Sequence, residues 1–387
     1  MNEPLAEYRA SARAWLEQRL SGPFAHLRGC VRQNDQIDAL RAWERELGAA
    51  GLSCIGWTQA HGGRGASIAE QLVFAEEYAR AKGPPRLGHI GVELIGPTLI
   101  AFGSPDQQRR FLPPIARGEA IWCQGYSEPG AGSDLANVRT RARLEGGRWI
   151  IDGHKIWTSM GLIADWIFIL ARTEPGSRGS AGLSFLLAPL DQPGLVRRPI
   201  RQMTGDAEFA EVFFDGAEAA AEDIVGAPGA GWAVAMGLLG FERGVSTLVQ
   251  QMHFKTEFEA LVGAARANGR ASDPRVRQRL AEAWTGLQIM RVNALRMLSD
   301  PGNEQLTDAA LTYKLYWSRW HRDLGELAMD ILGLPGEVGA EGYRFNDLTQ
   351  MHLMSRADTI YAGSSQIQRN IIAERALGLP REPRGDL

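Results

Sequence analysis

The sequence predicts an α+β chain of several domains: an N-terminal α-helical domain, a middle antiparallel β domain and a C-terminal four-helix bundle. Three observations predict it. At 387 residues the chain exceeds what a single core usually fills. Its apolar residues recur at helical spacing at first, alternate strictly from near Ile121, and return to helical spacing at Gly231. Gly, Pro and Asp punctuate the middle third into short β-type runs. The implied domains are 1–120, 121–229 and 230–387.

In the first domain Leu5, Tyr8, Ala12, Trp15 and Leu16 fall at helical spacing. Leu40, Trp43, Leu47 and Ala50 do the same and stop at Gly51, a favourable residue just past a helix end. Ser67 with Glu70 three residues later forms a capping-box pattern at the head of "SIAEQLVFAEEYARA". Short helices follow in "LIGPTLIAFGSPDQQRRFLPPIARG". In the second domain "VRTRARLE" alternates, with Val138, Thr140, Ala142 and Leu144 on one face, which predicts a half-buried strand. "EGGR" is a turn signal and "WIIDGHKIWTS" returns as the next strand. "DWIFILAR", "LSFLLAPL" and "AEVFFDG" are further β runs. The third domain carries three long amphipathic stretches, beginning at Trp232, Asp273 and Leu311. The tail "GLPREPRGDL" reads as loose.

Hydrophobic residues at 44%, charged residues at 22% and a formal net charge of -3 give no preference for nucleic acid or an anionic membrane. No run of about 20 apolar residues exists to span a membrane, and the N-terminus lacks a signal-peptide core. Cys30, Cys54 and Cys123 are too scattered for a disulfide framework or a metal site, so they read as free thiols of a cytoplasmic protein. No HExxH or HxxxH spacing and no G-x-S-x-G elbow occurs, so neither a metal centre nor serine-hydrolase chemistry is expected. His61 sits on a glycine-rich turn and reads as an exposed loop histidine.

The stretch "YSEPGAGSDLA" (126–136) invites a dinucleotide-loop reading through Gly130, Gly132 and Ala136. Such a loop needs a helix after it, whose N-terminus holds the pyrophosphate. Here the alternating run "VRTRARLE" follows, so the context excludes a Rossmann unit. The glycines still permit close backbone approach by a ligand, and Ser127 and Ser133 offer hydroxyls.

"GYSEPGAGSDLANVRTRA" resembles the first signature of the acyl-CoA dehydrogenase family, and "IYAGSSQIQRNIIAERALG" (360–378) resembles its second. "GHKIWTS", "VFFDG" and "GAGWAVAM" fall between them in register, so the likeness covers essentially the whole chain. The resemblance implies FAD, an acyl-CoA thioester substrate, an electron-transfer flavoprotein as electron acceptor, and assembly as a homodimer or homotetramer, with a hetero-oligomer as the other possibility. It implies that Tyr126 and Ser127 lie along the flavin ring, beside Gly132. Ser133 would bond flavin phosphate or pantetheine. Trp157 would pack beside the flavin, with Thr158 and Ser159 bonding its N5 and O4 side. Ser364 and Gln366 would contact the nucleotide across a subunit interface. The usual interface arginine is poorly preserved; Arg270 is the candidate, with Arg266 and Arg277 as alternatives. The family's flavin motif also departs at "DILGLPG" (330–336).

The reaction needs a desolvated carboxylate beside the substrate α-carbon. Where many members carry it, this chain has Ala362. In part of the family the base lies on the helix after the β domain. The matching residue is Glu242, with Leu238, Leu239, Val245 and Val249 on its side of the helix. Burial on that apolar stripe would raise its pKa; pairing with an arginine in the core is the competing role. Arg243 matches an arginine at the CoA end of the site, or it orients the helix through an ion pair. Ala362 would still supply its backbone N–H to the thioester carbonyl, next to Gly363. The implied activity is conversion of an acyl-CoA to a 2,3-enoyl-CoA. The alternatives are a flavin oxidase or monooxygenase on the same fold, or one subunit of a hetero-oligomeric acyl-CoA dehydrogenase.

Overall fold

A computed structural model describes residues 3–30, 36–241, 246–298, 308–338 and 345–381. The chain divides into two compact units, 1–202 with 206–243, and 203–205 with 244–387.

The first unit opens with α1 (Glu3–Leu20), α2 (Ile37–Ala49) and α3 (Ile68–Arg80). Leu16, Leu20, Leu40, Trp43 and Leu47 from the first two helices are buried together. The predicted capping box is formed: the Ser67 hydroxyl accepts from Glu70 N, and the Glu70 carboxylate accepts from Ser67 N. A π-turn at Gly91–Ile95 runs into α4 (Gly96–Phe102), followed by α5 (Pro105–Ala116).

The strands are β1 (Trp122–Gly125), β2 (Arg141–Glu145), β3 (Arg148–Ser159), β4 (Trp166–Arg172), β5 (Leu183–Pro189), β6 (Leu195–Ile200), β7 (Phe209–Ala220) and β8 (Ile224–Val225). They form one sheet in the order β6-β7-β3-β2-β4-β5-β8, with β1 on β4. Most pairs are antiparallel; β1 on β4 and the Arg141–Arg172 contact are parallel. The β2–β3 hairpin closes through Gly146 and Gly147, both left-handed at φ of 57° and 80°. Two successive positive φ values are what a tight hairpin turn requires. The expected strand over "VRTRARLE" ends at Glu145 as read, but its start and its inward face are corrected. Val138 and Thr140 are buried, but β2 begins at Arg141, and Leu144 is 55% exposed at the hairpin tip. The N–H groups of Arg139 and Thr140 donate to the Glu128 carboxylate, so they are not available to a ladder. The unit ends with α6 (Gly231–Phe241), packed on β5.

The second unit contains α7 (Ser246–Ala267), α8 (Pro274–Leu298), α9 (Asp308–Leu332), α10 (Leu334–Glu337), α11 (Asp347–Ser355) and α12 (Ser365–Ile371), the last continuing into a π-turn at Ile372–Ala376. Helices α7, α8, α9 and α11 enclose a core of Phe254, Phe258, Leu261, Met290, Trp317, Leu324, Ala328 and Met351. Among the described residues no helix is long and apolar enough to cross a membrane.

Candidate active site

In the first unit the glycine loop leaves β1 and turns back at once. Glu128 N donates to Ala131 O and Ala131 N to Glu128 O, each at 3.0 Å. Only a single 3-10 turn, Leu135–Asn137, precedes β2, so no helix N-terminus stands behind the loop. What holds the loop is a fully buried lysine. Lys155 Nζ donates to Tyr126 O (2.9 Å), Leu170 O (2.8 Å) and Glu128 Oε1 (2.9 Å). Glu128 also accepts from Arg139 N (2.6 Å) and Thr140 N (2.8 Å). Burial lowers the Lys155 pKa to about 8 against the pull of Glu128. Burial acts to raise the Glu128 carboxyl, but the Lys155 charge and the two N–H donors outweigh it and hold it below the usual range. Three acceptors around Nζ match the three N–H groups of an ammonium, so the pair is ionised at neutral pH.

One residue beyond Lys155 the pairing of β3 with β7 slips, between Lys155 and Thr158. Trp157 lies in this bulge at φ 60°, and its ring is 56% exposed, edge-on to Phe209 at 6.1 Å. A bulky residue in the left-handed region costs on the order of 1–3 kcal/mol and persists only where its surroundings impose it. Here Ile156 N donates to Ser127 O at 2.9 Å, which couples the bulge to the glycine loop. The result is an indole turned outward from the sheet. Next to it the Thr158 hydroxyl is buried and has no partner, and Ser159 is half-buried. Gly130, Gly132 and Ser133 are exposed, and a Cβ added at either glycine would meet nothing within 4 Å. The ring of Tyr126 points into the core, edge-on to Phe168 and Phe185, so Tyr126 presents backbone, not its ring, to the loop.

FAD, the group implied by the sequence resemblance, fits these residues. A flavin ring needs hydrogen-bond donors at its edge, and Thr158 has an unused one. Its phosphates and ribityl chain need close backbone approach, and the two glycines leave open space where side chains would stand. A flat aromatic face needs a flat neighbour, and Trp157 is held out in spite of its strained backbone.

In the second unit Ala362 and Gly363 are consecutive left-handed residues, at φ 49° and 88°. Their turn is tied by Ser365 N donating to Thr359 O (2.9 Å) and Gln368 Nε2 donating to Ala362 O (3.3 Å). Gly363 admits the Gln368 amide, which would lie 2.4 Å from a Cβ there. Ser364 is the N-cap of α12, its hydroxyl accepting from Ile367 N at 3.3 Å, and Gln366 is exposed. Arg270 is exposed and donates to Asp330 O at 3.4 Å, so the candidate arginine and the departing "DILGLPG" segment are neighbours. Glu242 and Arg243 lie outside the described residues.

The sequence reading missed two sets of residues. Lys155 shares the buried face of β3 with Trp149 and Ile151, and a lysine in that alternation was a readable signal. His321, with Glu257 and Asp358, forms a second buried ionic cluster. His321 lies one turn from Trp317 on the apolar stripe of α9, a pattern open to the same reading.

Comparison with known proteins identifies the family. Models of the acyl-CoA dehydrogenase N-terminal, middle and C-terminal domains match residues 2–119, 123–217 and 229–377. A Mycobacterium tuberculosis protein named acyl-CoA dehydrogenase IpdE1 is 55% identical over 386 residues, which cover 99% of this chain and 100% of the relative. A solved structure described as the Tcur3481-Tcur3483 steroid ACAD superposes with a TM-score of 0.85 at 30% identity, covering 99% of each chain. The ChsE4-ChsE5 complex from Mycobacterium tuberculosis superposes with a TM-score of 0.82 at 26% identity, again over 99% of each chain. Matched in all three domains and along its full length, the chain belongs to the acyl-CoA dehydrogenase family, FAD-dependent oxidoreductases of lipid metabolism.

Proposed function

We propose that this chain oxidises an acyl-CoA thioester to the 2,3-enoyl-CoA in the cytoplasm and passes the electrons to an electron-transfer flavoprotein. The observation that carries the reading is the Trp157 bulge: a strained, outward-facing indole built in one piece with the glycine loop, beside an unpartnered hydroxyl. Tyr126 and Ser127 contribute backbone along the ring; Gly132 and Ser133 serve the phosphate and pantetheine side; Thr158 and Ser159 bond the N5 and O4 edge. Ser364, Gln366 and Arg270 serve the nucleotide end, and Arg243 the CoA end. The chemistry that FAD supplies when bound is acceptance of the β-hydrogen with its electron pair.

The chain's own residues do the rest. Ala362 carries no acid, so the α-proton goes to the Glu242 carboxylate. The N–H of Ala362, beside Gly363, donates to the thioester carbonyl and stabilises negative charge developing there as the α-proton leaves. The steroid ACAD among the solved relatives makes a steroid-derived thioester the first substrate to try. Two of the superposed structures are named as two-component assemblies, which favours pairing with a second, related chain over a homo-oligomer.

The test is anaerobic mixing of the flavoprotein with straight-chain, branched and steroid-derived acyl-CoAs while flavin absorbance is followed. Bleaching by at least one class is expected, and Glu242→Gln should slow it roughly 10²–10⁴-fold with FAD retained. Bleaching by Glu242→Gln at the wild-type rate would remove Glu242 as the base. Rapid peroxide formation in air would favour an oxidase.

A further inference from the structure

Between α7, α9 and the turn that carries Ala362 lies a buried ionic cluster that neither the sequence signatures nor the reaction assign. His321 Nδ1 stands 2.6 Å from Asp358 Oδ2, and Nε2 stands 2.9 Å from Glu257 Oε2. Both His321 and Asp358 are buried, and the imidazole packs against the rings of Phe254 and Trp320. A neutral imidazole has one N–H and would turn a lone pair toward one of the two carboxylates. Only the imidazolium donates to both. Burial works against that charge, but the two carboxylates outweigh it and raise the pKa to about 9.

The cluster does not stop at the histidine. The other Asp358 oxygen accepts from the Tyr361 hydroxyl at 2.7 Å. Lys314 donates to the Asp358 carbonyl, and its ammonium lies over the Trp317 and Tyr361 rings at 4.6 and 5.2 Å. Two carboxylates thus face the imidazolium, and a second cation holds the Asp358 backbone. Asp358 is held on both sides, and Tyr361 is the residue immediately before Ala362. The Ala362–Gly363 turn is itself in left-handed backbone that needs support from outside. Gln368 buttresses one side of it and Tyr361 the other. The cluster is not a metal site: no group of His, Cys, Asp or Glu among the described residues is disposed to hold one.

We propose that Glu257, His321 and Asp358 form a positioning cluster that holds Tyr361, and through it the Ala362 N–H, in register with the substrate thioester carbonyl. His321 is therefore a positioning residue, which touches neither substrate nor flavin. The proposal rests on the reading of Ala362 as the carbonyl-binding amide. A misplacement of about 1 Å at such a site costs up to roughly 10²-fold in rate. The cluster therefore governs kcat and the binding of thioesters, while the binding of free CoA, which has no thioester carbonyl, is independent of it.

The experiment uses FAD-loaded wild type, His321→Gln and Tyr361→Phe, with the assembly partner if one co-purifies. His321→Gln removes the charge and one of the two donors. Tyr361→Phe removes only one hydroxyl, on a ring 44% exposed, and carries the test if His321→Gln fails to fold. Anaerobic flavin reduction by an acyl-CoA should fall about tenfold or more in each variant. Enoyl-CoA binding, read from the oxidised flavin spectrum, should weaken, and free CoA binding and FAD content should stay at wild-type values. The wild-type rate should fall as pH rises through about 9, and His321→Gln should lack that limb. The charged groups that face the imidazole through this titration are Glu257 from α7 and Asp358 from the turn; behind them, His253 on α7 feels Glu257, Lys314 on α9 holds the Asp358 carbonyl, and the Tyr361 hydroxyl holds the other Asp358 oxygen. Wild type that bleaches, with both variants at its rate, overturns the positioning role alone. Wild type that no acyl-CoA bleaches overturns the dehydrogenase reading and this inference with it. Equal losses of thioester and free CoA binding would reduce the cluster to a structural one.

Discussion

Two buried bases, one in each unit, sit in similar cages and respond in opposite directions. Lys155 faces two neutral carbonyls and one carboxylate, and its pKa falls to about 8. His321 faces two carboxylates, and its pKa rises to about 9. Burial pushes both toward the neutral form; the count of formal negative charges in the cage decides the outcome. Carbonyl oxygens satisfy the N–H groups of an ammonium but do not offset its loss of hydration as a carboxylate does. The first cage holds the glycine loop and the Trp157 bulge, the second the Ala362 turn. A buried charge with one geometry open to it suits both tasks, because any displacement leaves it unpaired.

The largest effect should come from breaking the first cage. Lys155→Met leaves the Glu128 carboxylate buried beside apolar atoms and strips donors from two carbonyls. Loss of one partner of such a pair costs about 3–5 kcal/mol. Denaturant unfolding of the apo-protein should show a loss of that size, part of it recovered by adding Glu128→Gln. A loss under about 1 kcal/mol would mean the ion pair does not hold the loop.

A pH series tests the opposite signs directly. His321 has a folded pKa raised from 6.5 to about 9, so its stabilisation is fully present below about pH 6.5 and lost as pH rises through 9. Lys155 has a folded pKa lowered from 10.5 to about 8, so its penalty is fully present below about pH 8 and is relieved as pH rises toward 10.5. Each pKa unit is worth roughly 1.4 kcal/mol. Melting between pH 6.5 and 9 should therefore decline more steeply in wild type than in His321→Gln, and more steeply in Lys155→Met than in wild type between pH 8 and 10. Parallel curves for all three proteins would refute the charge-count argument.

Trp157→Gly separates folding from binding at the bulge. The exposed ring contributes little packing, and glycine relieves the left-handed strain at an entropic cost of about 0.5–1 kcal/mol. Apo-protein stability should stay within about 1 kcal/mol of wild type, while FAD affinity, from flavin fluorescence titration, falls. An equal fall in both would make the indole a folding element.

The sequence carried the α–β–α order because the hydrophobic period changes twice, and it carried the Ser67 cap and the Gly146–Gly147 turn because local chemistry alone makes them. The start of β2 was not legible. The Glu128 carboxylate, eleven residues before Arg139, takes the N–H groups that alternation assigned to a strand. The two cages were half-legible. Lys155 and His321 stand on apolar stripes, but their partners, Glu128 in the loop and Glu257 on another helix, are set by tertiary packing. Arg270 was chosen by position in sequence; its proximity to Asp330 follows only from how the end of α9 meets the α7–α8 connection.

The smallest change is the most discriminating for the loop. Gly130 has an ordinary φ, and a Cβ there would meet only open space, so the fold itself does not require glycine. Gly130→Ala should leave apo-protein stability within about 0.5 kcal/mol of wild type, or raise it slightly by reducing the entropy of the unfolded chain. If a flavin phosphate or pantetheine chain passes against that backbone, the added methyl group occupies its path, and FAD or acyl-CoA affinity must fall although nothing in the protein has moved. Retained affinity for both ligands would mean that the open space is solvent, and that the ligand lies nearer Gly132 and Ser133. A loss of FAD affinity alone would assign the space to the flavin; a loss of acyl-CoA affinity alone would assign it to the pantetheine.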